Sequence, residues 1–341
     1  MKSYKSRLVW AGFELKNKVT ERQLWKRGPQ AFNYAYETFR PTINGHQFMS
    51  MPEVNEVIAR KILNNEPFWA GRMGHTEMDI VRQVIQHDMV PVLDHREEYV
   101  GIIYKKAGFF PNDVEYGTRF GHLILDDAQG IDMQGFWDRY MEDYMLYAYQ
   151  KTEYITTLSA LEPWNIYFEK NNPKGIKPWS HALRGKNVLV VHPFADSIRK
   201  QYDEKREHIF ERIYDANDIL PEFNLKTIKA VQTIGDTKDD RFDTWFDALD
   251  YMVKECAKTE FDVAIVGCGA YGYPLAAEIK KMGKTVIHLG GATQLMFGII
   301  GNRWETTHIG IKDNIMNDYW VHPDVSEKPA DASKVEKGCY W

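Results

Sequence analysis

The second half of the chain alternates short apolar runs with amphipathic stretches of helical period. Four of the apolar runs predict buried strands, over residues 187–192, 227–233, 263–266 and 285–289. The amphipathic stretches between them predict helices over residues 195–214, 242–258 and 273–282. Near-continuous apolar strands separated by helices are typical of a parallel sheet covered on both faces. The pattern therefore predicts an α/β protein with a Rossmann-like, mostly parallel sheet.

The first half adds a strand and further helices. Ser50, Pro52 and Glu53 form a capping-box signature that starts one helix, and the run 67–71 predicts a strand that leads into a second helix. The positions expected to be buried are Val54, Ile58, Ala59, Ile62 and Leu63 on the first helix and Met78, Val81, Val84 and Ile85 on the second. Residues 91–186 look mostly helical and strongly aromatic, with one apolar stretch near 154–161 that could form a strand.

These patterns divide the chain into three segments. Residues 1–50 are predicted to form a basic, helical N-terminal arm, with an apolar stripe of Leu24, Ala31, Tyr34, Ala35 and Phe39. Residues 51–322 are predicted to form a single α/β domain, with an N-terminal half (51–186) that carries the aromatic helical insertion and a Rossmann-like C-terminal half (187–322). Residues 323–341 remain as a C-terminal tail.

Composition narrows the class of protein. The 341 residues carry 43 Lys and Arg against 48 Asp and Glu, a net charge of −5, which argues against nucleic-acid binding and disorder. No apolar run approaches the roughly 20 residues of a membrane-spanning helix. Because the 3 cysteines form no framework of pairs and no signal-peptide core is evident, we expect a cytoplasmic protein. The charge is uneven, since residues 1–40 carry +6 and the remainder −11.

Ligands of parallel sheets bind at the carboxyl ends of the strands, and the loop after the first strand is rich in polar groups. Arg72, Gly74, His75 and Glu77 follow this strand. If residues 75–77 are extended, His75 and Glu77 point the same way and suit Mn²⁺, and Mg²⁺ less well. Alternatively, Thr76 and Asp79 cap a helix that has Glu77 in its first turn.

A G-x-G-x-x-G turn, Gly267–Gly272, lies between a predicted strand and helix. Such a turn can bring its backbone close to a diphosphate. The region near residue 290 lacks the acid that would bind the ribose of NAD, so the motif supports a phosphate contact more than a dinucleotide. The alternative is a tight turn in which the glycines serve packing.

The two remaining loops also combine small, basic and aromatic residues. His192 begins the loop after one strand. In the following helix, Asp196 or Ser197 would form the N-cap, or the adjacent basic residues Arg199 and Lys200 would hold a phosphate. Gly290 and Gly291 follow the last strand, and Arg303 and Trp304 lie just beyond them. A guanidinium suits a diphosphate, and an indole face suits a sugar or a base.

Together the loops resemble those of bacterial glycosyltransferases of the GT-D fold, including a branch found in surface-polysaccharide and glycan gene clusters. The similarity extends over about residues 50–310. It is carried by the strings RMGHTE (72–77), HPFADSIRKQY (192–202), GCGAYGYPLA (267–276), IHLGGATQ (287–294) and GNRWE (301–305).

In that family the first loop reads Arg-x-Gly-Asp-Gly-Glu, and its Asp-x-Glu is associated with a divalent metal, typically Mn²⁺, that holds the donor diphosphate. Arg72, Gly74 and Glu77 match, whereas His75 replaces the Asp and Thr76 the middle Gly. The resemblance implies catalytic roles for Arg72 and Glu77 and metal ligation by His75 and Glu77, or a metal-independent site, because imidazole brings no negative charge. The residues then expected to bind the donor are Gly74, His192, Ser197, Gly267, Gly269, Tyr271, Gly272, Gly290, Gly291 and Arg303.

The implied activity is transfer of a hexosyl-type sugar from a nucleoside-diphosphate sugar to a glycan, lipid-linked or protein acceptor. The aromatic segment 91–179 would contribute an acceptor-facing wall, although most of its rings are expected in the core. The alternatives are an NAD(P)-dependent oxidoreductase that uses the glycine turn, and a non-catalytic protein that binds nucleotide sugars or glycans. Residues 1–40, with Trp10, Phe13 and Trp25, would either contact the inner face of the plasma membrane or pack on the domain.

Overall fold

The structure is a computed structural model of the chain. It describes residues 7–15, 42–43, 45–92, 94–136, 140–213, 216–234, 237, 239–306, 310–329, 332, 338 and 340–341. Within these ranges no helix combines the length and the apolar character needed to cross a membrane.

A parallel sheet of seven strands forms the centre of the part of the chain that the structure describes. A short antiparallel pair, β1 (Thr42–Ile43) and β2 (His46–Gln47), precedes it. The strands of the sheet are β3 (Phe68–Arg72), β4 (Met133–Phe136), β5 (Tyr154–Thr157), β6 (Asn187–His192), β7 (Asn224–Lys229), β8 (Val263–Val266) and β9 (Thr285–His288). Their order across the sheet is β5-β4-β3-β9-β8-β6-β7. The predicted α/β class with a parallel sheet is confirmed.

Helices and helical turns connect the strands. The α-helices are α1 (7–15), α2 (Met51–Leu63), α3 (His75–Met89), α4 (Arg96–Ala107), α5 (Val114–Asp127), α6 (Tyr140–Ala148), α7 (Ala195–Lys205), α8 (Trp245–Lys258), α9 (Gly272–Lys281), α10 (Asn302–Thr306) and α11 (Gly310–Asn314). The 3-10 turns are Ala128–Gly130, Leu158–Leu161, Pro163–Phe168, Trp179–Leu183, Ala216–Asp218, Gly269–Tyr271, Gly290–Phe297 and Val325–Glu327.

Alternate strand residues pack on opposite faces of the sheet. Trp69 and Leu189 belong to a core with α3, α5, α8 and α9, whereas Phe68 and Val190 belong to a core with α2 and α7. Because both faces are covered by helices, most positions of the central strands are apolar, and β8 is apolar throughout. This packing explains why the sequence shows continuous apolar runs instead of an alternating pattern.

The predicted capping box at the start of α2 is confirmed. The Glu53 carboxylate accepts hydrogen bonds from the Ser50 N–H at 2.8 Å and from the Ser50 hydroxyl at 2.7 Å. Val54 and Ile62 are fully buried as expected. The prediction for Leu63 is wrong, since this last residue of the helix turns away from the core and is 56% exposed.

Several predicted boundaries differ from the structure. Strand β4 was not predicted, because its sequence Met-Gln-Gly-Phe is short and lies in a segment expected to be mostly helical. Strand β7 begins at Asn224 instead of 227, and helix α7 ends at Lys205 instead of near 214. The chain beyond Lys205 continues as turns up to residue 212.

The strand register brings four carboxyl ends to one level. Gly71 of β3 lies beside His288 of β9, His288 lies beside Val266 of β8, and Val266 lies beside Val191 of β6. From β3 the chain continues outward through β4 and β5, while the remaining strands lie on the other side of β3. The loops that follow these strands therefore meet where the strand order reverses, the place where open α/β sheets bind ligands.

The described part of the N-terminal arm packs on this sheet domain. Trp10 of α1 is 7% exposed and lies edge-on to Tyr144, with ring centroids 4.8 Å apart. Glu14 accepts two hydrogen bonds from Arg82, at 2.8 and 2.7 Å. The predicted stripe from Leu24 to Phe39, together with Trp25, lies outside the described residues, and membrane contact through residues 1–40 stays a prediction.

Candidate active site at the carboxyl edge of the sheet

A cavity of about 520 Å³ lies at the edge of the sheet where the carboxyl ends of the four aligned strands meet. The loops after β3, β6, β8 and β9 all contribute to its lining. The predicted site residues that line it are Arg72, Gly74, His75, Glu77, His192, Gly267, Gly269, Tyr271, Gly290, Gly291 and Arg303. Ser197 and Gly272 are not among its lining residues.

Arg72 ends β3 and extends its guanidinium across the loop after β9. A Cβ placed on Gly290 would lie 3.4 Å from Arg72 Nε, and Gly290 has a φ of +59° that favours glycine. Burial lowers the pKa of Arg72, while the hydroxyl of Tyr340 and the carboxylate of Glu77 act in the opposite direction. An arginine keeps its positive charge in such surroundings, so Arg72 presents a cation to the cavity.

Glu77 is buried in the first turn of α3, at 8% exposure. Its carboxylate occupies the space beside Gly74, the N-cap residue, where a Cβ would approach the Glu77 carboxyl carbon to 2.6 Å. Burial raises the pKa of Glu77, and a hydrogen bond with its own backbone and the charge of Arg72 act against that rise. A carboxyl group with a raised pKa is suited to proton exchange near neutral pH.

The expectation that residues 75–77 are extended is wrong. Helix α3 begins at His75, and successive helical positions turn by about 100°, so His75 and Glu77 lie on different sides. His75 is 47% exposed and its Nδ1 lies 3.5 Å from the Asp79 carboxylate. The Thr76 cap is also wrong, because Gly74 is the N-cap.

The geometry does not bring a metal-ligand set together at this loop. The His75 side chain is turned toward Asp79. The Glu77 carboxylate is instead folded back onto Gly74 at the N-terminus of α3. Among the described residues, no group of three or more His, Cys, Asp or Glu side chains could hold a metal ion. Metal ligation by His75 and Glu77 stays a prediction, and this arrangement does not fit it.

Two buried histidines contribute neutral polar groups to the cavity. His192 is 3% exposed and His288 is 4% exposed. Burial lowers the pKa of each to about 3, and for His288 the charge of Arg72 adds to the effect. His192 Nδ1 accepts a hydrogen bond from the Phe194 N–H at 3.0 Å, which places the proton of its neutral ring on Nε2.

In the glycine turn after β8, close packing requires a glycine at two positions. A Cβ on Gly267 would collide with the Gly290 carbonyl and the Thr293 hydroxyl, and a Cβ on Gly272 would collide with His288 Nε2. The packing alternative therefore accounts for both positions. Gly269, with a φ of +58°, allows the turn that carries the backbone past the cavity.

Tyr271 fixes the position of that turn. Its ring is 2% exposed and stacks on Trp245, with centroids 4.9 Å apart and planes at 8°. Its hydroxyl lies 3.2 Å from the Thr233 hydroxyl, and burial raises the pKa of the phenol. Tyr271 thus provides a rigid, neutral part of the cavity wall.

The N-terminus of α7 is occupied by a carboxylate from the C-terminal tail. Glu327 is 3% exposed and accepts hydrogen bonds from the N–H groups of Asp196, at 2.9 Å, and Ser197, at 3.2 Å, and from the Ser197 hydroxyl. The helix begins at Ala195 with Phe194 as N-cap, so the predicted capping by Asp196 or Ser197 is wrong. In this arrangement Ser197 binds the protein's own anion.

Arg303 supplies a second guanidinium to the lining of the cavity. Its Cζ lies 4.7 Å from the ring centroid of Tyr340, and its Nη1 donates to the Tyr340 hydroxyl at 3.3 Å. Its charge is close enough to lower the pKa of Arg72. Trp304, expected to stack on a sugar, is 5% exposed and packs near Tyr340, with ring centroids 6.1 Å apart.

The aromatic segment 91–179 adds little to the cavity. Of its described residues, Lys106, Ala107 and Gly108 line the space, whereas rings such as Phe109 and Phe120 are fully buried in the core. The acceptor-facing aromatic wall is therefore not seen there. Lys106 instead adds a third basic side chain.

Glu162 was missed by the sequence reasoning. It follows β5 and accepts a hydrogen bond from the Asn165 side chain at 2.9 Å. Burial raises its pKa to about 7, and the Asn165 bond and the charge of Arg72 act against that rise. The same edge-of-sheet rule, applied to the predicted strand at 154–161, would have directed attention to this residue.

The charges of the cavity favour an anionic ligand. Its described lining contains three basic side chains, Arg72, Lys106 and Arg303, and one acidic side chain, Glu77. Because three basic side chains face one carboxyl group, the lining keeps a net positive charge whether Glu77 is protonated or ionised. The net charge of −5 for the chain thus coexists with a locally positive cavity.

Comparison with known proteins gives distant structural similarity. No protein-family model matches the chain, and no curated protein matches it. One similar solved structure is described as a selenomethionine-substituted domain of unknown function 1792, with a TM-score of 0.38 and 14% identity over 76% of this chain and 86% of that chain. Another is described by the statement that this domain "has a distinct glycosyltransferase fold", with a TM-score of 0.38 and 13% identity over 76% of this chain and 84% of that chain.

Proposed function

We propose that this protein is a glycosyltransferase that takes a sugar from a nucleoside-diphosphate sugar. The observation that carries the proposal is the pair Arg72 and Arg303, which face one cavity at the point where the strand order of the sheet reverses. A volume of about 520 Å³ suits a ligand of nucleotide-sugar size. The glycan, lipid-linked or protein acceptor expected from the GT-D resemblance is part of the same proposal.

Glycosyl transfer builds negative charge on the departing diphosphate as the bond from the anomeric carbon to the phosphate oxygen breaks. Arg72 and Arg303 would stabilise that charge, and their positions are fixed before reaction by Gly290 and Tyr340. The neutral rings of His192 and His288 add polar groups without a compensating charge. Leaving-group stabilisation is therefore assigned to the chain's own basic side chains.

The acceptor hydroxyl must lose a proton when its oxygen attacks the anomeric carbon. Glu77 lines the cavity and has a raised pKa, which is the property expected of a carboxylate that accepts a proton near neutral pH. In this proposal Glu77 acts on the acceptor and not on a metal ion. Its contact with the N-terminus of α3 holds the carboxylate in one orientation.

Calorimetry with a panel of UDP- and GDP-sugars, with and without Mn²⁺, tests the proposal. We expect at least one donor to bind to the wild-type chain and to support sugar transfer or slow hydrolysis. A lack of binding by every donor would contradict the proposal, and NADH binding in the same series would favour an oxidoreductase. Donor binding with neither transfer nor hydrolysis would indicate a non-catalytic binding protein.

A further inference from the structure

Two of the last described residues, Tyr340 and Trp341, form one wall of the cavity. Trp341 is 9% exposed and sets its ring edge against Phe194, with centroids 5.8 Å apart. The Asn302 N–H donates to the Trp341 carbonyl at 3.3 Å. Packing and backbone hydrogen bonding together hold this wall against the loops after β6 and β9.

Tyr340 packs against two glycines, Gly291, which was predicted to bind the donor, and Gly301. A Cβ on Gly291 would lie 2.5 Å from ring atom Cε1 of Tyr340, and a Cβ on Gly301 would collide with the Tyr340 carbonyl group. The side-chain amide of Gln294 donates to the Tyr340 carbonyl oxygen at 3.3 Å. Gly291 and Gly301 are therefore needed for close contact with Tyr340.

The side chain of Tyr340 lies next to the groups that hold both guanidinium groups of the cavity. Its hydroxyl accepts a hydrogen bond from Arg303 Nη1 at 3.3 Å. Its ring packs on Gly291, and the preceding residue, Gly290, lies against the Arg72 guanidinium. A phenol oxygen accepts hydrogen bonds without neutralising a cation. Tyr340 thus holds Arg303 and packs beside the glycine pair that supports Arg72, while it leaves the positive charge of both arginines for an anion.

The ring of Tyr340 does not close the cavity. With Tyr340 and Trp341 in place, about 520 Å³ remains, within the usual size range of small-molecule sites. We infer that Tyr340 is a positioning residue of the donor site: its hydroxyl orients Arg303 toward a diphosphate that Arg72 also contacts, and its ring limits the space beside it. This inference rests on the proposed function and assigns the diphosphate end of the donor to the Tyr340 side of the cavity.

Calorimetry on the full chain tests this role with UDP, GDP and inorganic pyrophosphate as ligands. Tyr340→Ala should weaken binding of the nucleoside diphosphate that binds wild type by about tenfold, and Tyr340→Phe, which keeps the ring, by about threefold. Pyrophosphate should also bind more weakly to both variants, because the hydroxyl acts at the diphosphate. Tyr319→Ala is the matched control, since Tyr319 also stacks on a basic side chain, His208, at 4.6 Å, and does not line the cavity.

Each outcome of this experiment bears on a different part of the account. Equal affinity of wild type and both Tyr340 variants would overturn the positioning role. Tighter binding by Tyr340→Ala would also overturn it, because the ring would then obstruct the site. If wild type binds neither UDP nor GDP, the result contradicts the proposed function, and with it the role of Tyr340. Circular dichroism checks folding, and Tyr340→Phe carries the test if the alanine variant does not fold.

Discussion

Helices α3 and α7 both leave the carboxyl edge of the sheet, and each has a glutamate at its N-terminus. For α3 the glutamate is Glu77, two residues into the helix, and for α7 it is Glu327, which lies 130 residues further along the chain than Ser197. The Glu77 carboxylate contacts the N-cap residue Gly74 and faces the cavity. The Glu327 carboxylate binds two backbone N–H groups and lies outside the cavity lining.

This difference separates a functional acid from a structural one. Both carboxylates benefit from the positive end of a helix dipole. Glu77 keeps a raised pKa because burial exceeds the stabilisation it receives. The Glu327 carboxylate also accepts a hydrogen bond from the Ser197 hydroxyl. These hydrogen bonds are expected of a residue that anchors the C-terminal tail to the domain. Substitution of each glutamate should therefore affect a different property.

Glu327→Gln is expected to have the largest effect on stability. The amide keeps one acceptor oxygen but loses the charge, so one buried donor of α7 is left poorly satisfied. We expect a loss of about 2 kcal/mol in the free energy of unfolding, measured by chemical denaturation. Glu207→Gln is the matched control, because the Glu207 side chain is 70% exposed. Equal stability of the two variants would show that Glu327 does not fasten the tail.

Glu162→Gln is expected to change the pH dependence of stability. The folded-state pKa of Glu162 is raised from 4.5 to about 7, so the native state binds more protons than the unfolded state within that window. Its contribution to stability therefore falls as the pH rises from 4.5 to about 7. The glutamine variant should gain about 1 kcal/mol on wild type between pH 5 and pH 8, allowing for solvent screening. Parallel pH profiles in denaturation would refute this.

Glu77→Gln is expected to have the smallest effect on stability, below about 1 kcal/mol in the free energy of unfolding at pH 7. The variant loses the contact of the carboxylate with the N-terminus of α3, but it also no longer buries a charged group, and the two effects oppose each other. The same change should abolish most sugar transfer while leaving donor affinity within about threefold of wild type. Unfolding experiments and transfer assays on one preparation check both statements. Unchanged transfer would remove Glu77 from the mechanism.

The sequence predicted much of the sheet for a physical reason. Strands β6, β8 and β9 are central and covered on both faces, so their apolar runs were continuous and easily recognised. Strand β4 escaped prediction because Gln134 and Gly135 interrupt its apolar pattern. The rule that ligands bind at the carboxyl edge correctly placed Arg72 and Arg303 on one cavity.

The sequence did not predict side-chain positions where a local motif has two possible geometries, or where the contact joins residues far apart in the chain. The direction of His75 depended on where α3 begins, and the spacing alone could not give that residue. From the tail, Tyr340 reaches the cavity and Glu327 reaches the N-terminus of α7, and no local signal links them to Gly291 or Ser197. Remote contacts of this kind depend on the folded path of the chain.

The central claim is that Arg72 and Arg303 bind the diphosphate of the donor. The most direct measurement is the ratio of affinities for a nucleoside diphosphate and the matching monophosphate in wild type, Arg72→Ala, Arg303→Ala and a control, Arg199→Ala. Arg199 is exposed and does not line the cavity. We predict that wild type and the control prefer the diphosphate by at least about tenfold and that each cavity variant lowers this preference to about threefold or less. A preference that is unchanged in both cavity variants would contradict the claim.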